Sequence, residues 1–233
     1  MESYSARSQS SYYCVALREY LVKVYNYMAL ALGTTGLVAF VVSLSDTMLG
    51  LLYGTPMHWV VAIAPVVMVF IMSSRLHRMS VQAVMAMFFG FAAVMGLSLS
   101  YVFMVYTAHS IARVFFISSS MFGVMAWYGN VTKRDLSKIG SFMLMGVVGL
   151  IIASVVNIFM ASGALHFAIS LVAVCVFTVL TAVNAQEIRD TYYRINDGTE
   201  VTTHKMAIVG ATSLYFSYIN MFVSLLHIMG DRR

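Results

Sequence analysis

Acidic residues are few in this chain, and none stands in the middle of a long apolar run. The nine, Glu2, Glu19, Asp46, Asp135, Glu187, Asp190, Asp197, Glu200 and Asp231, fall in tails, connections or segment ends. A carboxylate at mid-membrane depth costs roughly 2.5–3.5 kcal/mol and usually marks a proton or ion path, so its absence argues against a conventional proton-coupled pump. Charge of either sign is sparse, at 10% of residues, where a soluble domain carries about a quarter. The two cysteines, Cys14 in a polar tail and Cys175 in an apolar segment, form neither a disulfide framework nor a CxxC metal pattern. Catalytic signatures are missing too: there is no HExxH and no GxSxG, and the serines at 98, 100 and 118–120 lack a histidine partner at membrane depth. No enzyme activity, cofactor or metal centre is therefore expected. The formal charge of +5 does not point to nucleic acid, because the basic residues lie in short runs between apolar segments, without interleaved aromatics.

What the chain has in abundance is apolar sequence: 61% of its residues are hydrophobic, and the mean hydropathy is +0.85. Seven apolar stretches lie near 24–45, 58–74, 81–106, 111–128, 140–161, 165–186 and 206–229. Each is close to the roughly 17–25 residues a membrane-crossing helix needs, which predicts an all-α integral membrane protein with seven transmembrane helices. The expected organisation is a Ser/Tyr-rich polar tail over 1–23, mostly disordered, a transmembrane domain over 24–229 and a short tail over 230–233. The first twenty-odd residues lack the apolar core and cleavage site of a signal peptide, so the first helix is expected to act as its own insertion signal. Pro65 falls inside the second stretch and should kink it, freeing a backbone carbonyl that a neighbour must satisfy.

Lys and Arg counts orient the helices. With a cytoplasmic amino terminus, that side holds Arg7, Arg18, Lys23, Arg75, Arg78, Lys133, Arg134, Lys138, Arg189, Arg194 and Lys205, against Arg113, Arg232 and Arg233 on the other. The asymmetry follows the positive-inside rule and puts the carboxyl terminus on the far side. The Arg232-Arg233 ending runs against it.

The last stretch carries the most informative pattern. Ser213, Ser217, Asn220, Ser224 and His227 recur at steps of four and three, which puts all five on one helical face. A polar stripe in hydrocarbon requires helix neighbours or a water-filled cavity, so this helix is expected inside the bundle. Serines that bond back to their own carbonyls or permit close packing explain part of such a stripe equally well. Gly146, Gly149 and Ala153 share a face ending at Asn157, a small-residue groove for close packing. His58, His77, His109, His166 and His204 sit at segment edges, where interfacial solvation is the simpler reading. The nineteen methionines read as core filler or lipid-facing surface. Arg75 and Glu187 are candidates for an ion pair at the cytoplasmic mouth, with solvated loop charges as the alternative.

Several runs resemble the transmembrane Bax inhibitor motif family, in particular its bacterial members. They are Gly96-Leu97-Ser98-Leu99-Ser100, Met121 through Gly129 followed by Thr132-Lys133-Arg134-Asp135-Leu136-Ser137, Gly149-Leu150-Ile151 through Asn157, and Leu214-Tyr215 with Ile219-Asn220. The resemblance runs from about Met79 to the end; the first two helices match in pattern only.

The resemblance implies six helices surrounding a central C-terminal helix, a bacterial inner-membrane location and a passive, pH-sensitive calcium leak. In the family a pair of aspartates on the sixth and last helices shares a proton, and ionisation of both drives them apart. Here the matching stretches are Thr181-Ala182-Val183-Asn184-Ala185-Gln186 and Leu214 through Asn220, and both aspartates are replaced, by Asn184 and Ser217. Neither titrates, so the expected leak is weak or not pH-gated by this pair. Arg75 is the nearest equivalent of an arginine that contacts the sensor in some members, and His227 stands where the family often has arginine. The competing expectation is a membrane interaction protein that regulates proteases or cell-death factors without transport. The partners implied are the lipid bilayer, calcium and other membrane proteins.

Overall fold

The computed structural model describes residues 2–75, 78–194 and 200–233, with side-chain surroundings from Val15 onward except at 58, 62, 73 and 200. His77 and Asp197 lie outside the described residues, as do the side chains of Cys14 and His58. Within them the chain is helical throughout: α1 Glu2–Ser43, α2 Asp46–Tyr53, α3 Met57–Arg75, α4 Val81–Val105, α5 Ala108–Val131, α6 Ser137–Met160, α7 Gly163–Arg194 and α8 Glu200–Met229. Six of these are long and apolar enough to cross a membrane, namely α4 to α8 and the Val15–Ser43 part of α1. The apolar run of α3, Trp59–Met72, is shorter.

Helix boundaries follow the polar residues between the apolar runs. Ser80 and Thr107 accept hydrogen bonds from the N–H groups of Ala83 and Ser110 and so cap α4 and α5. At the end of α6 the chain turns through Ala161 in the left-handed region, φ 48° and ψ 33°. Asn157 holds that turn, its carbonyl accepting from Ala161 N–H at 2.8 Å and its side-chain oxygen from Ser162 N–H at 3.2 Å. Two features differ from the sequence expectation. The short helix α2 separates α1 from α3, capped by Ser45. The amino-terminal tail is continuous with α1 from Glu2 rather than irregular, and this rod is anchored where Tyr20, Val24 and Met28 are buried. The Tyr20 ring lies 5.0 Å from that of Tyr192 at the end of α7.

The core lies around α8. In its most apolar window 61% of residues are buried, against none for α6. Leu214, Tyr215, Met221 and Leu226 are fully enclosed, and α8 packs against α1, α4, α5 and α7. Outward surfaces are as apolar as the interior: Phe70, Phe116, Phe142 and Phe159 stand free, which suits hydrocarbon as the solvent. Polar side chains lock helix pairs together. Thr35 of α1 lies 2.7 Å from the Tyr215 hydroxyl and donates to the Ala92 carbonyl at 2.8 Å, joining α1, α4 and α8. The Tyr218 hydroxyl meets Ser119 of α5 at 3.0 Å.

Close backbone approach accounts for glycines in the family-like runs. A Cβ at Gly96 would strike the Thr35 carbonyl of α1, and one at Gly129 would strike the Ala182 backbone of α7. The expected groove on α6 is only partly used: Gly146 faces Val176, whereas Gly149 opens onto empty space because α6 packs on α7 alone. α3 runs antiparallel to α4. Its Val61 carbonyl, four residues before Pro65 and so without a helical N–H, accepts from Ser98 Oγ at 2.9 Å. The carbonyl freed by Pro65 is thus satisfied by the serine of the Gly-Leu-Ser-Leu-Ser run.

Candidate functional site

α7 and α8 form an antiparallel pair whose polar residues face a crevice of about 1010 Å³. α6 supplies one wall, and Val66 of α3 lies across from it. All five residues of the α8 stripe, Ser213, Ser217, Asn220, Ser224 and His227, line this space. Two of them also bond back to their own helix, Asn220 Nδ2 to the Phe216 carbonyl at 2.8 Å and Ser213 Oγ to the Val209 carbonyl at 3.3 Å. The two readings of the stripe therefore coexist: local back-bonding satisfies part of each group, and the face still wets the crevice.

Asn184 and Ser217 meet at one end of the crevice. Asn184 Nδ2 donates to Ser217 Oγ at 2.9 Å and approaches the Ser213 carbonyl at 3.4 Å. Ser217 is 2% exposed, so the bond is shielded on its α8 side. Two smaller pockets adjoin it, of about 330 Å³ between α6 and α7 and about 90 Å³ between α1, α7 and α8. Among the described residues, Asn184 lines both of these pockets and the crevice. Its bond to Ser217 stands where the three spaces converge. An amide and a hydroxyl hold that junction without charge at any physiological pH.

Arg75 and Glu187 do not form the expected ion pair. Both are exposed, and α3 packs on α2 and α4 rather than on α7, so its end does not deliver Arg75 to the α7 carboxylate. The ion pairs among the described residues are Arg189–Asp190 and Arg113–Asp231, each at 3.0 Å. Glu187 instead lines both small pockets beside Asn184. At the opposite end of the crevice, the His227 ring lies 4.7 Å from that of His166 on α7, so one of the edge histidines joins the stripe.

Sequence reasoning missed the groups that hold the loop after α5. Gln186, 5% exposed, accepts from Leu136 N–H at 2.8 Å and donates to the Arg134 carbonyl at 2.7 Å. Arg189 donates to the carbonyls of Asn130 and Thr132 at 2.7 and 3.1 Å. The Tyr-Gly-x-x-Thr-Lys-Arg-Asp-Leu run is thus tied by its backbone to α7, within one turn of Asn184. Its own Asp135 is exposed, and the Ser137 hydroxyl and backbone N–H hold its carboxyl below the usual carboxylate range. The signal available in the sequence was Gln186, the polar residue that follows Asn184 by two where the apolar part of α7 ends.

The family model described as inhibitor of apoptosis-promoting Bax1 matches residues 17–233. An uncharacterised protein of Rickettsia prowazekii is 42% identical over 217 residues, covering 93% of this chain and 91% of its own. The inner membrane protein YbhL of Escherichia coli is 36% identical over 218 residues, covering 93% of each chain. An uncharacterised membrane protein of Streptococcus pyogenes is 30% identical over 223 residues, covering 93% of this chain and 94% of its own. With six helices suited to crossing a bilayer and a family match over nearly its whole length, the chain is a multi-pass integral membrane protein that belongs to the Bax1 inhibitor family.

Proposed function

We propose that this protein is a passive cation leak of the bacterial inner membrane, with calcium as the expected ion, closed by a latch that does not titrate. The observation that carries this reading is the 2.9 Å bond from Asn184 to Ser217 at the junction of the crevice with the two cytoplasmic-side pockets. A continuous wetted route requires those spaces to join, and the bond keeps α7 and α8 together where they would do so. Seven crossings around the last helix are part of the proposal. α3 has 19 residues, and at about 1.5 Å per residue it spans roughly 28 Å, close to the hydrocarbon thickness.

In the family's acidic version of this latch, loss of the shared proton leaves two carboxylates that repel, so the path opens as pH rises. The neutral pair here has no proton to lose and stays bonded. Calcium efflux from proteoliposomes tests this. Wild-type flux is expected to be low and flat over about pH 5 to 8, and Asn184→Ala or Ser217→Ala to raise it at every pH. A steep wild-type pH response abolished by either substitution would contradict the reading.

A further inference from the structure

The crevice has a second polar end, and its chemistry differs from that of the latch. His166 of α7 and His227 of α8 lie there with ring centroids 4.7 Å apart and planes inclined at 50°. Both rings are half-buried and line the crevice with Asn157, Ser170 and Ser224. Among the described residues no hydrogen bond is made by any ring nitrogen of either histidine, although their neighbours are satisfied. Ser170 Oγ donates to the His166 carbonyl at 3.0 Å, and Asn157 Oδ1 accepts from Ser162 N–H at 3.2 Å. Both rings therefore keep their nitrogens uncommitted beside the polar groups at this end of the crevice.

We propose that His166 and His227 form a two-histidine site for a borderline-soft divalent transition ion of the Zn²⁺ type, bridging α7 and α8 at the far end of the crevice. Two imidazoles bound at about 2.1 Å to one ion, in cis or tetrahedral positions, put their ring centres roughly 4.5 to 5.2 Å apart. The observed separation of 4.7 Å falls inside that range. Imidazole nitrogen favours zinc, nickel and copper over the hard cations, and no carboxylate lines the crevice to attract calcium or magnesium. No cluster of three or more His, Cys, Asp or Glu occurs among the described residues, so water completes the coordination, with the lone pairs of Ser170, Ser224 and the Asn157 amide as outer partners. The charged group acting on His227 is the Arg232 guanidinium of the terminal tail, which opposes a cation there. A bound ion clamps α7 to α8 at the end opposite the Asn184–Ser217 bond. The site stands on the ring pair and does not depend on the leak.

The test is Zn²⁺ titration by calorimetry of the full chain, without a histidine tag, in detergent micelles. One saturable site is expected, with His166→Gln and His227→Gln each weakening it at least about tenfold, Arg232→Ala tightening it, and His109→Gln or His204→Gln leaving it unchanged. Far-UV circular dichroism and elution volume establish that each variant is folded. Ca²⁺ should give no signal that depends on either ring. The proposal is overturned if the wild type shows no binding at about 1 mM Zn²⁺, if folded His166 and His227 variants bind as the wild type does, or if His109 or His204 carries the binding instead.

Discussion

Gln186 shows how much one polar side chain holds in this molecule. It is buried on α7, and its amide bridges two backbone groups of the loop before α6. Replacing it with leucine keeps the volume but leaves the Leu136 N–H and the Arg134 carbonyl without their partner. An unsatisfied buried group costs about 1–3 kcal/mol, so Gln186→Leu is expected to lower the unfolding midpoint in detergent by several degrees. An unchanged midpoint would mean that water replaces the amide. At this scale the sequence was partly legible. The meeting of Asn184 with Ser217 was legible through the family resemblance, which implies that these two positions pair, and not through helical spacing. The meeting of His166 with His227 was not legible, since it depends on how far α7 extends and how the two helices are staggered, which no local pattern encodes. The Arg75–Glu187 expectation failed for a related reason: sharing one side of a membrane does not bring residues within 4 Å when their helices do not pack together.

Among the six long apolar helices, α6 is the least buried. It packs on α7 alone, with Gly140 against Val183 and Gly146 against Val176, and most of its remaining surface is apolar and outward. Its C-terminal turn passes through Ala161 at φ 48°, a conformation that glycine adopts without strain. Ala161→Gly is therefore expected to stabilise the protein by about 0.5–1 kcal/mol, after the greater freedom of glycine in the unfolded chain is deducted. Thermal unfolding of the variant beside the wild type checks this, and a fall in midpoint would show that the turn is not strained. Helix existence was largely readable, because each long apolar run became a helix, although α7 runs on to Arg194 rather than ending near 186 and α8 begins at Glu200 rather than near 206. The extension of α1 back to Glu2 was not, since polar composition argues for a solvated tail whereas the absence of glycine and proline before Gly33 leaves nothing to stop a helix that tertiary packing has begun at Tyr20.

For the molecule as a whole, the polar groups divide between two ends. At one end the carboxyl-terminal tail is pinned to the α4–α5 turn: Arg113 binds the Met229 carbonyl and Asp231, and Thr107 and Arg233 exchange backbone bonds with the other strand of the contact. The tail therefore lies beside the α4–α5 turn, on the side that the charge count makes non-cytoplasmic. At the other end Gln186, Arg189 and the Asn184–Ser217 bond hold α7 against α5 and α8. Between them runs the crevice, walled by α6 to α8 and lined by polar side chains from all three, Asn157 of α6 and Asn184 of α7 beside the α8 stripe. The overall plan of a helical bundle with a buried last helix was foreseeable from the stripe and the apolar runs. The crevice was not, because its shape depends on α6 standing away from α8.

The neutral latch is the central claim, and restoring its charge tests it most directly. Calcium efflux from proteoliposomes containing the Asn184→Asp, Ser217→Asp double variant, compared with wild type over about pH 5 to 8, should show flux rising with pH in the variant and a flat line in the wild type. Two flat, superimposable profiles from folded proteins, or a steep profile already present in the wild type, would contradict the account.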